Sequence, residues 1–303
     1  MLLVFLSVGL FFTSAQAQKK SPNIIVIVTN DQAYHTLRAA GNNVVKSPNL
    51  DALIAEGVLF HRHYSTTAIC MASRATLLTG KLEYRTGTNF MHGSMARELY
   101  EQSYPVLLRQ SGYKTAFAGK FGFAVTDRPD EDESHNTYER LPVASFDRWL
   151  GGTGQTSYQT AENQYITGYA ASFPHSTRAY GQAACDFIES SVKEGTPFCL
   201  SLYFKAPHMP FTPDPVFDSV YKNTVFVKPP NYGKPAASHL PVQSRLGRQN
   251  TRWFSWWSEA SYQESSRKYY QLIYGVDYVL GQIREKLVQD GVADNTVIIY
   301  TSD

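Results

Sequence analysis

Cys70 stands at the head of a stretch, Ile69 to Gly80, that reads as a helix, and Arg74 follows one turn later on the same face. The unpaired N–H groups and positive dipole end of such a helix point at any anion beside the sulfur position. A thiol placed there has a lowered pKa and is a good nucleophile. The competing reading is a buried cysteine with Arg74 capping a loop. No Cys-His-Asn protease signature accompanies Cys70, so plain thiol catalysis fits poorly.

Four more groups able to do chemistry each follow an apolar run. Thr29-Asn30-Asp31-Gln32 follows Ile24 to Val28, and Gly119-Lys120 follows Tyr113 to Ala118. Lys205-Ala206-Pro207-His208 follows Phe198 to Phe204, and Thr301-Ser302-Asp303 follows Val297 to Tyr300. Singly, such a carboxylate reads as a helix cap, the lysine as a solvated charge and the histidine as a turn residue. Together they place oxygen donors, a cation and a histidine at the carboxyl ends of strands, where parallel α/β sheets bind ligands. Asn30, Asp31 and Asp303 form an oxygen-only set that suits Ca2+ or Mg2+ and not zinc. His61 and His63, on either side of Arg62, make a poorer zinc pair.

The elements that position these groups follow from periodicity. Unbroken apolar runs fit buried parallel strands. Between them, Ser47 reads as an N-cap, Pro48 as the first helical residue and Gly57 as the stop. Thr177 to Val192 has a helical pattern, and Ser266 to Gln289 carries Ile273, Val276, Leu280, Ile283 and Leu287 in one stripe. Strands alternating with helices predict an α/β fold, a mostly parallel sheet with helices on both faces. Two stretches resist this pattern, Thr126 to Pro142 and Lys228 to Ser265. The second holds Trp253, Phe254, Trp256 and Trp257, which either stack on sugar rings at a loop surface or simply pack.

Leu2 to Phe12 is almost wholly apolar and Ala15-Gln16-Ala17 follows, so residues 1–17 read as a signal peptide, although no Lys or Arg precedes the run. The run is too short to span a bilayer, which needs about 20 apolar residues. The expectation is a secreted or periplasmic protein with no stable membrane span after cleavage, and one domain over 18–303. The net charge of +2, with both signs interspersed, gives no surface for nucleic acid or an anionic membrane. Three cysteines in an oxidising compartment leave at least one unpaired. Cys185 and Cys199 have apolar neighbours and read as core, which leaves Cys70 to explain.

These residues resemble the sulfatase family, whose fold is the alkaline-phosphatase-like α/β fold. The family's Cys-x-Ala-x-Arg variant appears as Cys70 to Arg74, followed by Leu78-Thr79-Gly80 and Arg85-Thr86-Gly87. Its Gly-Tyr-x-Thr-Ala-x-x-Gly-Lys appears as Gly112 to Lys120, its Ala-Pro-His-x-Pro as Ala206 to Pro210, and its Thr-Ser-Asp as Thr301 to Asp303. The resemblance implies that a formylglycine-generating or sulfatase-maturing enzyme converts Cys70 to Cα-formylglycine. Its hydrate, beside a divalent cation, attacks the sulfur of a sulfate ester, and the second hydrate oxygen later expels sulfate. It further implies Asn30, Asp31, the Cys70 product and Asp303 as cation ligands, Arg74 on the formylglycine oxygens, Lys120 on the sulfate and His208 as proton donor to the leaving alcohol. The implied substrate is a sulfated carbohydrate.

Three features depart from the family pattern. Asn30 replaces an aspartate, Gly122 stands where many members have histidine, and the family continues past the Asp303 strand with another ligand, a further lysine and a smaller domain. The domain is therefore expected to be incomplete at its C-terminus. A phosphodiester or phosphonate monoester hydrolase of the same superfamily, and a non-catalytic binder of sulfated glycans, are the alternatives.

Overall fold

The computed structural model describes residues 21–89, 93–129, 137–233, 235–247 and 261–303. The expected signal peptide, residues 130–136 of the first irregular stretch and the Trp253–Trp257 cluster lie outside the described residues.

Five parallel strands form the central sheet in the order β5-β3-β6-β1-β7. They are β1 (Asn23–Thr29), β3 (Lys114–Lys120), β5 (Arg148–Gly152), β6 (Phe198–Tyr203) and β7 (Thr296–Ser302). A second, two-stranded parallel ribbon pairs β2 (Ser94–Ala96) with β4 (Ala124–Thr126). In the main sheet β1 lies between β6 and β7, with Ile24 opposite both Cys199 and Val297. The register of β3 with β6 sets Gly119 opposite Tyr203, so the site-bearing ends of the two strands are level.

Helices cover both faces. They are α1 (Pro48–Glu56), α2 (Cys70–Thr79), α3 (Tyr104–Gln110), α4 (Ser176–Lys193) and α5 (Tyr262–Gln289). Ile25, Ile27, Ala116, Ala118, Leu200 and Leu202 meet the apolar stripes of α4 and α5 on one face. The stripe predicted for α5 is buried there, from Ile273 to Leu287. On the other face Val26, Val28, Phe117 and Tyr203 meet Met71, Ala75 and Leu78 of α2. Burial on both sides accounts for the continuous apolar runs of β1, β3 and β6, whereas β7, read from the sequence as buried, exposes Val297 and Ile299.

Three details differ from the sequence reading. First, β3 runs on to Lys120, so that residue ends the strand instead of following it. Second, β5 was not expected; Arg-Trp-Leu-Gly-Gly has little strand propensity, and Trp149 secures it by stacking on Phe117 at 5.0 Å. Third, Ser47 makes no side-chain cap to α1. Asp277 of α5 does so, accepting from the N–H groups of Leu50 at 2.7 Å and Asn49 at 3.3 Å. The negative carboxylate at the helix N-terminus ties α1 to α5 across the fold.

Candidate active site

The strand ends converge as the sequence order requires. Asn30 is fully buried, and its N–H donates to the Ala206 carbonyl at 3.0 Å, fixing the end of β1 to the turn after β6. Asp31 takes a left-handed backbone, φ +64°, which aspartate tolerates better than most residues. Its N–H donates to Asp303 Oδ1 at 3.1 Å, while the Asp303 N–H donates to the Thr29 carbonyl at 3.1 Å. The amide of Asn30 donates to both Asp303 oxygens, at 2.9 and 3.0 Å.

α2 begins at Cys70 with Ile69 extended before it and no side-chain cap. Its first turn therefore keeps N–H groups free beside the sulfur. Arg74 is buried and joins three strand ends. Its Nε donates to Asp303 Oδ2 at 2.7 Å, Nη2 to the Phe204 carbonyl at 3.1 Å and Nη1 to the Lys120 carbonyl. The guanidinium also lies 5.5 Å from the Tyr203 ring centroid. Both side chains of the Arg74–Asp303 pair are fully buried. Burial alone would raise the Asp303 carboxyl, but Arg74, Lys120 and the hydrogen bonds outweigh it and hold it below the usual range.

Lys120 Nζ donates to Asn30 Oδ1 at 2.7 Å and Gln155 Oε1 at 2.6 Å. Burial, reinforced by the Arg74 charge, draws its ammonium down to about 8. His208 Nε2 lies 3.6 Å from Asp31 Oδ2, and its Nδ1 faces the Met209 carbonyl, which can only accept. The Cys70 sulfur is 3.6 Å from the Asn30 amide nitrogen. Burial works against ionising this thiol, yet the His208 hydrogen bond and the Lys120 charge bring it down to about 7. The other two cysteines move the opposite way, Cys185 to about 11 and Cys199 to about 12, both chiefly by burial. Cys199 is buried as expected, and Cys185 is half-buried.

Thus Asn30, Asp31, Cys70, Arg74, Lys120, His208 and Asp303 are brought to one place. His61 and His63 are exposed, and His61 Nδ1 lies 3.4 Å from the Tyr34 hydroxyl. Among the described residues no three of His, Cys, Asp and Glu group to hold a metal. Gln155 and Tyr158 belong to the site although the sequence reading passed over them, and so does Lys205, which that reading placed after a strand without giving it a role. Two of them lie in the loop after β5, and an unrecognised strand hides its own carboxyl-end loop. Gly122, at φ +95°, closes the opposite wall; a Cβ there would stand 3.0 Å from Arg74 Cδ. A side chain at this position would make the arginine give by about a few tenths of an ångström and would strain the backbone at this positive φ.

The donor chemistry can be tested against a divalent cation. Asp31 and Asp303 supply two carboxylates at one strand edge, hard donors that suit Ca2+ or Mg2+. The Asp31 carboxyl is raised by loss of solvent in the crowded cleft and by Asp303, with His208 opposing. Its side chain still keeps 56% of its exposure, so the carboxylate remains open to an incoming ion. Asn30 presents nitrogen to Asp303 and oxygen to Lys120, and a half-turn of its amide exchanges the two. The set fits a cation in kind, with one negative charge fewer than three carboxylates would give.

Comparison with known proteins identifies the family. The family model Sulfatase matches residues 22–303. An N-acetylglucosamine-6-O-sulfatase of Bacteroides thetaiotaomicron is 25% identical, over 99% of this chain and 61% of its own length. A solved structure in complex with its substrate D-glucosamine-2-N,6-O-disulfate superposes with a TM-score of 0.67 at 23% identity, covering 93% of this chain and 65% of that one. The phosphonate monoester hydrolase of Agrobacterium radiobacter superposes at 0.68 and 21%, covering 93% and 62%. At these identities the two structures speak for the fold, which they share. The chain spans about three fifths of the length of the curated relative, 61%. With the family model matched from residue 22 to residue 303, the chain belongs to the sulfatase family.

Proposed function

We propose that the protein hydrolyses sulfate esters on a sulfated carbohydrate outside the cytoplasm, secreted or periplasmic, through a formylglycine made from Cys70. The observation that carries this reading is the gathering of Cys70, Lys120 and His208 around the Asp31–Asp303 edge, at the uncapped start of α2. Matured by a formylglycine-generating or sulfatase-maturing enzyme, Cys70 supplies a hydrated aldehyde as nucleophile, and a divalent cation, Ca2+ ahead of Mg2+, supplies positive charge to hold it. Asp31 and Asp303 would hold that cation, with Asn30 through its amide oxygen.

The chain's own groups do the rest. Lys120 and the free N–H groups of α2 meet the negative charge of a sulfuryl group, in a buried setting where such contacts are worth more than in water. Arg74 keeps the ends of β3, β6 and β7 together through Lys120, Phe204 and Asp303. His208 turns Nε2 toward the site, while Nδ1 is occupied by the Met209 carbonyl. From there it gives a proton to the departing alcohol oxygen. The relative named for N-acetylglucosamine 6-O-sulfate chemistry and the glucosamine disulfate complex support a sugar substrate. In the described residues no helix is long and apolar enough to cross a membrane.

The test is to produce the protein with a formylglycine-generating enzyme and compare rates on an aryl sulfate, a 6-sulfated amino sugar and an aryl phosphate diester. Mass spectrometry of the Cys70 peptide should show an aldehyde in place of the thiol, with Cys185 and Cys199 unmodified. Preference for the phosphate diester would replace this reading with a phosphodiester or phosphonate monoester hydrolase. Retention of sulfated glycans that survives loss of Cys70, without turnover, would replace it with a binding protein.

A further inference from the structure

Gln155 holds two lysines at once. Its side-chain oxygen accepts from Lys120 Nζ at 2.6 Å, and its carbonyl accepts from Lys205 Nζ at 3.1 Å. Lys205 is only 6% exposed. Its ammonium lies 5.2 Å from the Tyr158 ring centroid, and among the described residues no carboxylate is within ion-pair reach. A buried ammonium with one carbonyl and one ring face for company keeps two N–H donors without an acceptor among the described residues. That arrangement is costly unless something anionic completes it. Burial pulls the Lys205 ammonium below its ordinary pKa, with Cys70 and Asp31, both members of the site, opposing.

The same loop anchors a third group, since the Tyr158 hydroxyl donates to the His208 carbonyl at 2.6 Å. Residues 155–158 therefore fix Lys120, Lys205 and His208 relative to one another. We propose that Lys205 is a second ammonium contact for the transferred sulfuryl group, set beside Lys120 by Gln155. This rests on the sulfate-ester reading above. Lys205 directs its two remaining N–H donors at non-bridging oxygens, a charge-assisted contact of the stronger kind, while Lys120 approaches from β3. Tyr158 offers its ring to the lysine stem and head, holding them in the unliganded protein.

The unmodified thiol allows a test that needs no turnover. Cys70 alkylation by iodoacetamide is followed by mass spectrometry at constant ionic strength, with Ca2+ present and inorganic sulfate as the competing anion. Half-buried Cys185 serves as the internal control, since sulfate should not protect it. Sulfate should slow alkylation of Cys70 in the wild type. In Lys205→Met the sulfate concentration giving half protection should rise about tenfold or more, the scale of one lost charged hydrogen bond. Lys205→Arg, which keeps the charge, should recover most of the loss, and thermal unfolding midpoints verify that each variant is folded. Equal protection in folded Lys205→Met and wild type would overturn the role of Lys205 while leaving the sulfate site standing. A wild type that sulfate does not protect at all would overturn the sulfate-ester reading, and this inference with it.

Discussion

His208 reaches the site with one ring nitrogen committed to the Met209 carbonyl and the other 3.6 Å from Asp31. A proton donor in that position matters in proportion to the basicity of the departing oxygen. Under the proposed sulfate-ester hydrolysis, His208→Ala is therefore expected to lower turnover of a sugar sulfate by about 10²–10⁴-fold, the usual range for one positioned acid, and that of an activated aryl sulfate far less. The check is the ratio of kcat on the two substrates, wild type against variant; an equal loss on both would assign His208 to binding. At this scale much of the site could be read from the chain alone, because Lys120, His208 and the acidic strand ends each follow an apolar run and Cys70 opens a helix with Arg74 one turn on. Gln155 and Lys205 could not. A glutamine in a glycine-rich loop carries no signal of the lysine it holds, and Lys205 gives no sign in the sequence that it is buried.

Two element-scale features should register in stability. Gly119 lies in β3 at φ +103°, and a Cβ there would stand 2.0 Å from the Tyr203 carbonyl oxygen of β6. Backbone cannot retreat as a flexible side chain does, so Gly119→Ala combines strain with a parted strand pair. A loss of about 3 kcal/mol or more is expected in urea unfolding. The second feature is the start of α4, where His175 Nδ1 accepts from the Thr177 N–H at 3.3 Å and Nε2 donates to the Thr212 carbonyl at 2.9 Å. Burial lowers the His175 pKa from its ordinary value, with Thr212 and Asp214 opposing and Arg178 assisting. The unfolded chain thus binds a proton more readily than the folded one. The stability His175 contributes is present above the unfolded pKa of about 6.5 and is lost as pH falls through the folded value. His175→Asn, which keeps a capping acceptor, should flatten the fall in urea midpoint below about pH 6.5 relative to wild type; an unchanged slope would remove His175 as its source. Elements were legible where a run was long and apolar, as in β1 and β6. They were not where tertiary contact supplies what propensity lacks, as when Trp149 secures β5 and Asp277 caps α1 from α5.

At the scale of the whole molecule, the alternation of apolar strand runs with helical stripes gave the class of fold, and the order of the motifs gave the edge of the sheet on which the site is built. Among the described residues the sheet has two outer strands, β5 and β7. Of these, β7 lies beyond β1, and it exposes 48% of Val297 and 47% of Ile299 on one face. An outer strand offers unpaired N–H and C=O groups along its free edge, and apolar side chains beside them invite another chain to pair. Self-association that grows with concentration is expected of this chain when it is produced alone. Ile299→Lys should suppress it, since a lysine on an outer strand faces water in the monomer but sits badly against a second strand. The substitution touches a half-exposed position, so its effect on folding stability should stay within about 0.5 kcal/mol. Sedimentation velocity across a concentration series separates the outcomes. A monomer restored by Ile299→Lys, with an unchanged urea midpoint, places the contact at β7; undiminished association in the variant moves it elsewhere on the surface.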